Sequence, residues 1–167
     1  MQKRSFLRAV SGGAVAVTLA LTAGIGAVVP ASAMASERGN KDEAVAMVKR
    51  ATAHIKAVGK DKAYADFTSK AAGFADRDLY VIVYDQAGKS LAHGANQSMV
   101  GKTLIELKDA DGKEVMKEIV QVAFKGPGKG WVDYKWPNPV TKQIEAKSTY
   151  VEKLDDVVVG VGVYKTN

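Results

Sequence analysis

Segments with strand-forming composition fill the C-terminal half of this 167-residue chain, from Asp78 to Tyr164. The stretch 79–84, LYVIVY, is β-branched, aromatic and apolar throughout, which predicts a central strand covered on both faces. A turn at 85–88 and a return strand at 89–94 predict a hairpin. Three further strands are predicted at Trp131–Trp136, at about Ile144–Lys153 and at Val157–Tyr164. This order predicts one small antiparallel sheet packed against helices, an α+β architecture.

Helical patterns precede and interrupt these strands. Asn40 suits an N-cap, and Glu43 is placed to complete a capping box. The helix that follows ends at Gly59, and its apolar stripe has three- and four-residue spacing: Ala44, Val48, Ala51, Ile55 and Val58. A second helix is predicted from Asp61 to about Ala72. A third segment, Thr103–Lys125, is predicted to be helical with a break at 109–112.

The first 35 residues have the composition of a signal peptide. Basic residues occur only within the first eight positions, and no further charge follows until Glu37. The intervening run is apolar and ends in two overlapping small-x-small patterns, Ala31–Ala33 and Ala33–Ala35, so the predicted cut falls after residue 33 or residue 35. We expect residues 36–40 to be a short linker and residues 41–165 to form a single domain.

Two alternatives to an ordinary secretory signal stay open. An uncleaved membrane anchor needs about 20 apolar residues, and this run is long enough, but Pro30 and the many small residues disfavour it. Lys3 and Arg4 resemble a twin-arginine export signal whose first arginine is replaced by lysine. Cleavage after either type of export predicts a periplasmic or secreted protein.

Charge and cysteine content exclude several classes of function. The whole chain carries a net charge of +6, but removal of the leader leaves 21 basic and 18 acidic residues, a net charge of +3. The remaining charges alternate in sign, so nucleic-acid binding is not expected. With no cysteine, the chain has neither disulfides nor thiolate metal sites nor a cysteine nucleophile.

No catalytic or metal-binding motif is convincing. The Asp109–Gly112 stretch superficially resembles a calcium loop, but it lacks the further oxygen ligands and is a good turn sequence. Gly101–Thr103 mimics the end of a phosphate loop without its first glycine. No G-x-S-x-G is present. We therefore expect no metal, no cofactor and no enzymatic activity.

Two polar residues on predicted strands are ambiguous. Leu91 and His93 share one face by alternation, so His93 is predicted either to be buried and satisfied by a carbonyl or to contact a ligand. Lys147 shares a face with Glu145 and Thr149; it is either solvated or, if it points inward, a counter-charge for a small carboxylate. The other histidine, His54, is expected to be exposed.

At this point the sequence resembles the single Cache type 2 domains, which are extracytoplasmic sensor modules of bacterial chemoreceptors and histidine kinases. The matching blocks, in order, are DLYVIVYDQAGKSLAHG, VGKTLIELKDADGKE, GWVDYKWPNP, KSTYVEKL and VGVGVY. With the preceding helix, the resemblance covers about Lys41–Tyr164. It implies a PAS-like antiparallel sheet with a long N-terminal helix, the Cache fold.

The resemblance also implies a pocket for small organic acids. Its expected lining residues are Tyr80, His93, Trp131, Tyr134 and Lys147, with Lys147 meeting the carboxylate. Family members usually lie between two transmembrane helices, whereas this chain ends at Asn167. We therefore expect a free ligand-binding protein that signals ligand binding to a membrane receptor or histidine kinase. The alternative is a protein–protein interaction subunit with a vestigial pocket. A homodimer through the N-terminal helix is also expected.

Overall fold

The computed structural model describes residues 38–70 and 73–165. The predicted leader, the first two linker residues and positions 71–72 lie outside these residues. The helices are α1 (Lys41–Val58), α2 (Lys60–Thr68) and α3 (Val115–Val120), the last continuing as a π-helical turn, Gln121–Lys125. The strands are β1 (Ala75–Asp76), β2 (Leu79–Asp85), β3 (Ser90–His93), β4 (Lys129–Pro137), β5 (Ile144–Leu154) and β6 (Val157–Tyr164).

The strands form one antiparallel sheet in the order β1-β2-β6-β5-β4, with β3 also paired to β2. The first and last long strands of the domain, β2 and β6, are therefore neighbours at its centre. Both are almost completely buried, as the apolar composition of LYVIVY predicts. The predicted α+β fold, with an antiparallel sheet and a preceding long helix, is confirmed.

Alternate residues of the central strands enter two separate apolar cores. On one side α1 and α2 cover the sheet, and Val81, Val83, Val159 and Val161 point into that core. On the other side α3 and the connection before it cover Tyr80, Ile82, Tyr84 and Tyr164. We call these the helix-side core and the α3-side core. Every candidate polar group on the central strands must therefore be assigned to one side or the other.

The start of α1 is held by two sets of contacts. Asn40 caps the helix, and the capping box with Glu43 is present as predicted. The preceding residues are tied to the sheet: Arg38 donates to the Glu145 carboxylate at 2.6 Å, and the Gly39 amide donates to Asp78 at 2.6 Å. The last linker residues are thus docked onto β5 and the residue preceding β2.

The prediction of a helix beginning at Thr103 is wrong for the segment before the break. The Leu104 amide donates to the Gly88 carbonyl, and Thr103 bridges to Lys89, so the hairpin turn satisfies this backbone instead of a helix. Asp109 then accepts from two amides of its own turn. Helix begins only at Val115.

Two predictions for the N-terminal helices are also corrected. His54 is half-buried, not exposed: its side chain is 22 % exposed, hydrogen-bonds Asp66 and packs against Phe67 and Phe74. The reason is that α2 folds back along α1 and brings these residues over it. Val58, placed on the apolar stripe, is 42 % exposed because the chain turns away at Gly59.

The docking of Arg38 predicts a pH dependence of stability. The hydrogen bond from Arg38 is the main cause that lowers the pKa of Glu145 to about 2. A lowered carboxyl pKa stabilises the fold above the unfolded value of about 4.5, and this contribution is lost as the pH falls towards 2. We expect Glu145→Gln to flatten the unfolding free energy measured by urea denaturation between pH 4.5 and pH 2. The exposed Glu106→Gln is the control, and equal slopes in the two variants would contradict the prediction.

Candidate ligand-binding site

Lys147 is buried in the middle of the sheet, with 1 % of its surface exposed. It enters the α3-side core from β5, where the register pairs it with Tyr134 on β4 and Tyr164 on β6. Its ammonium donates to the Tyr80 hydroxyl at 2.6 Å and to the Tyr164 hydroxyl at 3.3 Å. The same ammonium lies 3.9 Å and 4.6 Å from the centroids of these two rings, within the range of cation–π attraction.

Gly162 makes this position of the lysine possible. Tyr80 lies on β2, and β6 separates β2 from β5, so the lysine stem must cross β6 to reach it. A Cβ atom at position 162 would lie 2.1 Å from Cε of Lys147 and 2.4 Å from Oγ1 of Thr149. Only a residue without a side chain leaves room for the stem.

The ammonium of Lys147 has no ion-pair partner among the described residues. Its two hydrogen-bond acceptors are neutral phenols, which account for two of its three N–H donors. Burial lowers the pKa of Lys147 well below its usual value, and the more distant charge of Asp78 opposes this only in part. Buried charges are normally paired. The site therefore lacks a negative charge next to the ammonium.

The hydroxyl groups of Tyr80 and Tyr164 make different hydrogen bonds. The Tyr164 hydroxyl donates to the Pro137 carbonyl at 2.7 Å, so its oxygen accepts from Lys147. Tyr80 also accepts from Lys147, and because the Tyr164 proton goes to Pro137, the Tyr80 hydroxyl donates to the Tyr164 oxygen over a long 3.3 Å. Burial raises the pKa of Tyr80 well above its usual value, so the hydroxyl keeps its proton. An incoming acceptor would draw that proton from its long hydrogen bond to Tyr164.

His93 supplies a second donor beside Tyr80. Its Nδ1 accepts from the backbone amides of Ala95 and Asn96 at 3.3 Å and 3.0 Å, which places the ring proton on Nε2. Burial, with a smaller contribution from Lys147, lowers the pKa of His93 to about 4, so the ring is neutral at pH 7. The ring stacks at 5.2 Å on Tyr80. His93 is buried as the first alternative expected, but its Nδ1 is satisfied by backbone amides and not by a carbonyl. The Nε2 proton is left for the second alternative, a ligand contact.

A β-bulge places Leu91 and His93 on opposite sides of the sheet. The register of β2 with β3 shifts at Leu91: Ala92 pairs with Val83 and Ser90 pairs with Tyr84, which leaves Leu91 as the extra residue. Leu91 consequently packs on the helix-side core, while His93 lies against Tyr80. The prediction that Leu91 and His93 share one face is therefore wrong.

Two cavities meet at Tyr80, His93 and Trp136. The inner one, beneath α3, is almost filled: its volume is about 10 Å³, and its other walls include Ile82 and Met116. The outer one is an open cleft of about 270 Å³. Its remaining walls are Ala95, Asn96, Met99, Pro137, Asn138, Pro139 and Lys142. The donors of Tyr80 and His93 therefore lie at the inner end of a cleft that is open to solvent.

The structure brings together four of the five predicted site residues. Tyr80, His93 and Lys147 form one cluster. Tyr134 lines the inner cavity, and its hydroxyl hydrogen-bonds Oγ1 of Thr149 at 2.8 Å. Those four positions therefore lie on the α3 side of the sheet.

Trp131 does not join the predicted set. It is three residues before Tyr134 on β4 and so lies on the opposite face, where it packs against Tyr150 at 5.4 Å and against the helix-side core. The ammonium of Lys41 lies 4.9 Å from its ring centroid. This corrects the expectation that Trp131 lines the same pocket.

Sequence reasoning missed Tyr164, Trp136 and Gly162. A signal for two of them was present: a two-residue turn at Asp155–Asp156 sets the β5–β6 register, which places Lys147 opposite Tyr164 and Thr149 opposite Gly162. Trp136 could have been found by alternation from Tyr134. The loop residue Asn138 carried no such signal, because its position depends on how the β4–β5 connection folds over the cleft.

Within the described residues, no three His, Asp or Glu side chains are grouped as a metal site would require. In the same residues, no helix combines the length and apolarity that crossing a membrane requires.

Comparison with known proteins identifies relatives of this architecture. The model of the family "Single Cache domain 2" matches residues 21–167. Sensor histidine kinase MctS of Rhizobium johnstonii is 38 % identical over 90 residues, which are 53 % of this chain and 19 % of the kinase. Methyl-accepting chemotaxis protein McpP of Pseudomonas putida is 33 % identical over 91 residues, 53 % of this chain and 16 % of that protein. The matched segment thus spans less than a fifth of either relative.

Solved structures agree with this assignment. A methyl-accepting chemotaxis protein from Vibrio parahaemolyticus superposes with a TM-score of 0.65 at 28 % identity, covering 74 % of this chain and 87 % of that one. A periplasmic sensor domain of a chemotaxis protein gives 0.60 at 25 % identity, covering 75 % and 90 %. A Cache chemosensory domain described with carboxylic acid recognition gives 0.63 at 23 % identity, covering 75 % and 92 %, and shares the fold.

The crowding around Gly162 gives a prediction. Gly162→Ala forces the stem of Lys147 out of its path, and such overpacking costs about 1–3 kcal/mol of unfolding free energy. Gly130→Ala on β4 is the control, because its Cβ would meet a single Val122 methyl at 3.2 Å. Urea denaturation measures both variants. If Gly162→Ala unfolds at the same urea concentration as the wild type, the lysine stem does not need the space that Gly162 leaves.

Proposed function

This chain belongs to the single Cache domain 2 family, and on that premise we propose that it is an extracytoplasmic sensor domain. In this proposal it binds a small carboxylate of about two to four carbons at the inner end of the cleft and performs no catalysis. The observation that carries the proposal is Lys147: its buried ammonium hydrogen-bonds two phenols and has no carboxylate partner within the described residues.

A carboxylate suits the remaining hydrogen-bonding capacity of this site. Lys147 has one N–H beyond those given to the phenols, His93 has its Nε2 proton, and Tyr80 can redirect its proton from the long hydrogen bond to Tyr164. Ionised carboxylate oxygens only accept hydrogen bonds, and bonds to them from charged donors are short and strong. A bound carboxylate would also supply the missing negative charge. An amine or another cation would instead meet a like charge.

The surroundings favour a short acid over a long-chain one. The inner cavity of about 10 Å³ has room for little more than one water molecule, so a ligand draws its volume from the outer cleft. The wall next to the donors is apolar and includes Trp136 and Met99. A short hydrocarbon chain can pack there while its carboxylate faces Tyr80 and His93.

Export and signalling complete the proposal. Residues 1–35 act as a signal peptide in this reading, of ordinary or twin-arginine type, and the domain works in the periplasm or outside the cell. The partner is a membrane receptor or histidine kinase, in line with the two relatives MctS and McpP. The homodimer through α1 stays a prediction, as does the alternative role of an interaction subunit with a vestigial pocket.

Replacing Lys147 tests the assignment of the site. For wild-type protein we expect acetate, propionate or butyrate to raise the melting temperature, because a ligand that binds only the folded state stabilises by about 2.7 kcal/mol at 100 times its Kd. Lys147→Met should abolish this rise. Its ligand-free melting temperature should not fall, since an unpaired buried charge is removed.

The matched control is Lys153→Met, which changes an exposed lysine on the same strand. It should keep the full carboxylate response. An undiminished response in Lys147→Met would exclude Lys147 as the carboxylate ligand, and no response to any acid in the wild type would refute carboxylate binding altogether.

The lowered pKa of Lys147 predicts proton-linked binding. Above that pKa the free site holds a neutral amine, and a carboxylate must recruit a proton to bind. Affinity should therefore fall as the pH rises, beginning below the usual lysine value of 10.5. Isothermal titration of acetate from pH 6 to pH 10, in two buffers of different ionisation enthalpy, measures how many protons are taken up on binding. Zero uptake with constant affinity over this range would contradict the prediction.

A further inference from the structure

The outer cleft is larger and more polar than a monocarboxylate requires. A short acid held at Tyr80 and His93 would occupy only the inner end of a space of about 270 Å³. None of the lining residues, all within the described part of the chain, is acidic; the Glu145 carboxylate accepts from the Asn138 side chain and is itself paired with Arg38. Lys142 is the one charged residue among these described lining residues, and Lys147 is linked to the cleft by its hydrogen bond to Tyr80.

Lys142 is the cation at the outer end. It forms no ion pair among the described residues, and its ammonium donates only to the Pro139 carbonyl of its own loop, at 2.5 Å. Its backbone has a φ of +64°, a conformation that non-glycine residues rarely adopt. Backbone hydrogen bonds on both sides hold it there: the Lys142 amide donates to the Asn138 carbonyl, and the Asn138 amide donates to the Gln143 carbonyl. The loop therefore holds this lysine at the rim.

Two side-chain amides line the same cleft and have spare donors. The Asn96 side-chain oxygen accepts from the Ser98 amide and hydroxyl, which leaves its NH₂ group to donate. The Asn138 side-chain oxygen accepts from the Val140 amide, and one of its N–H groups donates to Glu145. The cleft thus offers the Lys142 ammonium and amide N–H groups, which suit a second anionic group.

We propose that the preferred ligand is a dicarboxylate, with one carboxylate at Tyr80, His93 and Lys147 and the other at Lys142 with the Asn96 and Asn138 amides. This inference rests on the proposed function, because it assigns the first carboxylate to the same inner site. Lys142 is then a specificity-determining residue: it distinguishes an acid with two charges from one of equal length with a single charge.

Three ligands of similar length test the inner and outer anion sites separately: succinate, its monomethyl ester and butyrate. Isothermal titration of the wild type should give a succinate Kd at least about tenfold lower than that of either monoanion, about 1.4 kcal/mol. Lys142→Met should remove that preference and leave butyrate affinity unchanged. Lys142→Arg should restore part of it, because a cation returns to the rim. Lys56→Met, an exposed change on α1, is the control and should behave as the wild type.

The outcomes distinguish this inference from the function on which it rests. If butyrate and succinate bind equally well, or if Lys142→Met keeps the succinate preference, the second carboxylate site is refuted while the carboxylate sensor stands. If none of the three binds the wild type while acetate or propionate does, only the second carboxylate site is refuted; if no short acid binds, both are refuted. If Lys142→Met lowers the affinity for all three ligands equally, Lys142 supports the loop conformation and does not bind a second carboxylate. That result also overturns the inference.

Discussion

The candidate site of this domain depends on a lysine ammonium held in the sheet without a carboxylate beside it. Burying a charge costs several kcal/mol unless it is compensated. Here compensation comes from two phenol oxygens and two aromatic faces supplied by Tyr80 and Tyr164. These contacts require β2, β6 and β5 to be adjacent in this order, and they require a glycine at position 162 where the lysine stem crosses β6. A site that is incompletely neutralised in this way is suited to an anion.

The rim of the cleft connects this site to the start of the domain. Tyr164, which receives a hydrogen bond from Lys147, donates to the Pro137 carbonyl, and the neighbouring Asn138 side chain donates to Glu145. The Glu145 carboxylate also accepts a hydrogen bond from Arg38, which lies just before α1. One loop therefore contacts both the candidate ligand site and the segment through which the chain enters the domain. A ligand that moves this loop would change contacts at both ends.

Particular residues show how far the sequence carries the prediction. The antiparallel sheet, the capping of α1 and the grouping of Tyr80, His93, Tyr134 and Lys147 on one side of it follow from local pattern or from family resemblance. The errors arise where non-local hydrogen bonds override local pattern. The segment after Thr103 pairs with the β2–β3 turn instead of forming a helix. The bulge at Leu91 reverses the facing expected from strict alternation.

The sequence by itself determined the strands, because composition and period-two alternation depend on residues close in the chain. It also determined that a lysine and several tyrosines lie on strands able to share a face. Only the tertiary structure decided that Lys147 is buried, since burial depends on β6 passing between β5 and β2 and on what covers the sheet. The same packing placed Lys142 at the rim of the cleft, whereas alternation along β4 already puts Trp131 on the face opposite Tyr134. Distances between strands far apart in sequence set the electrostatics of the site, and local pattern carries no information about them.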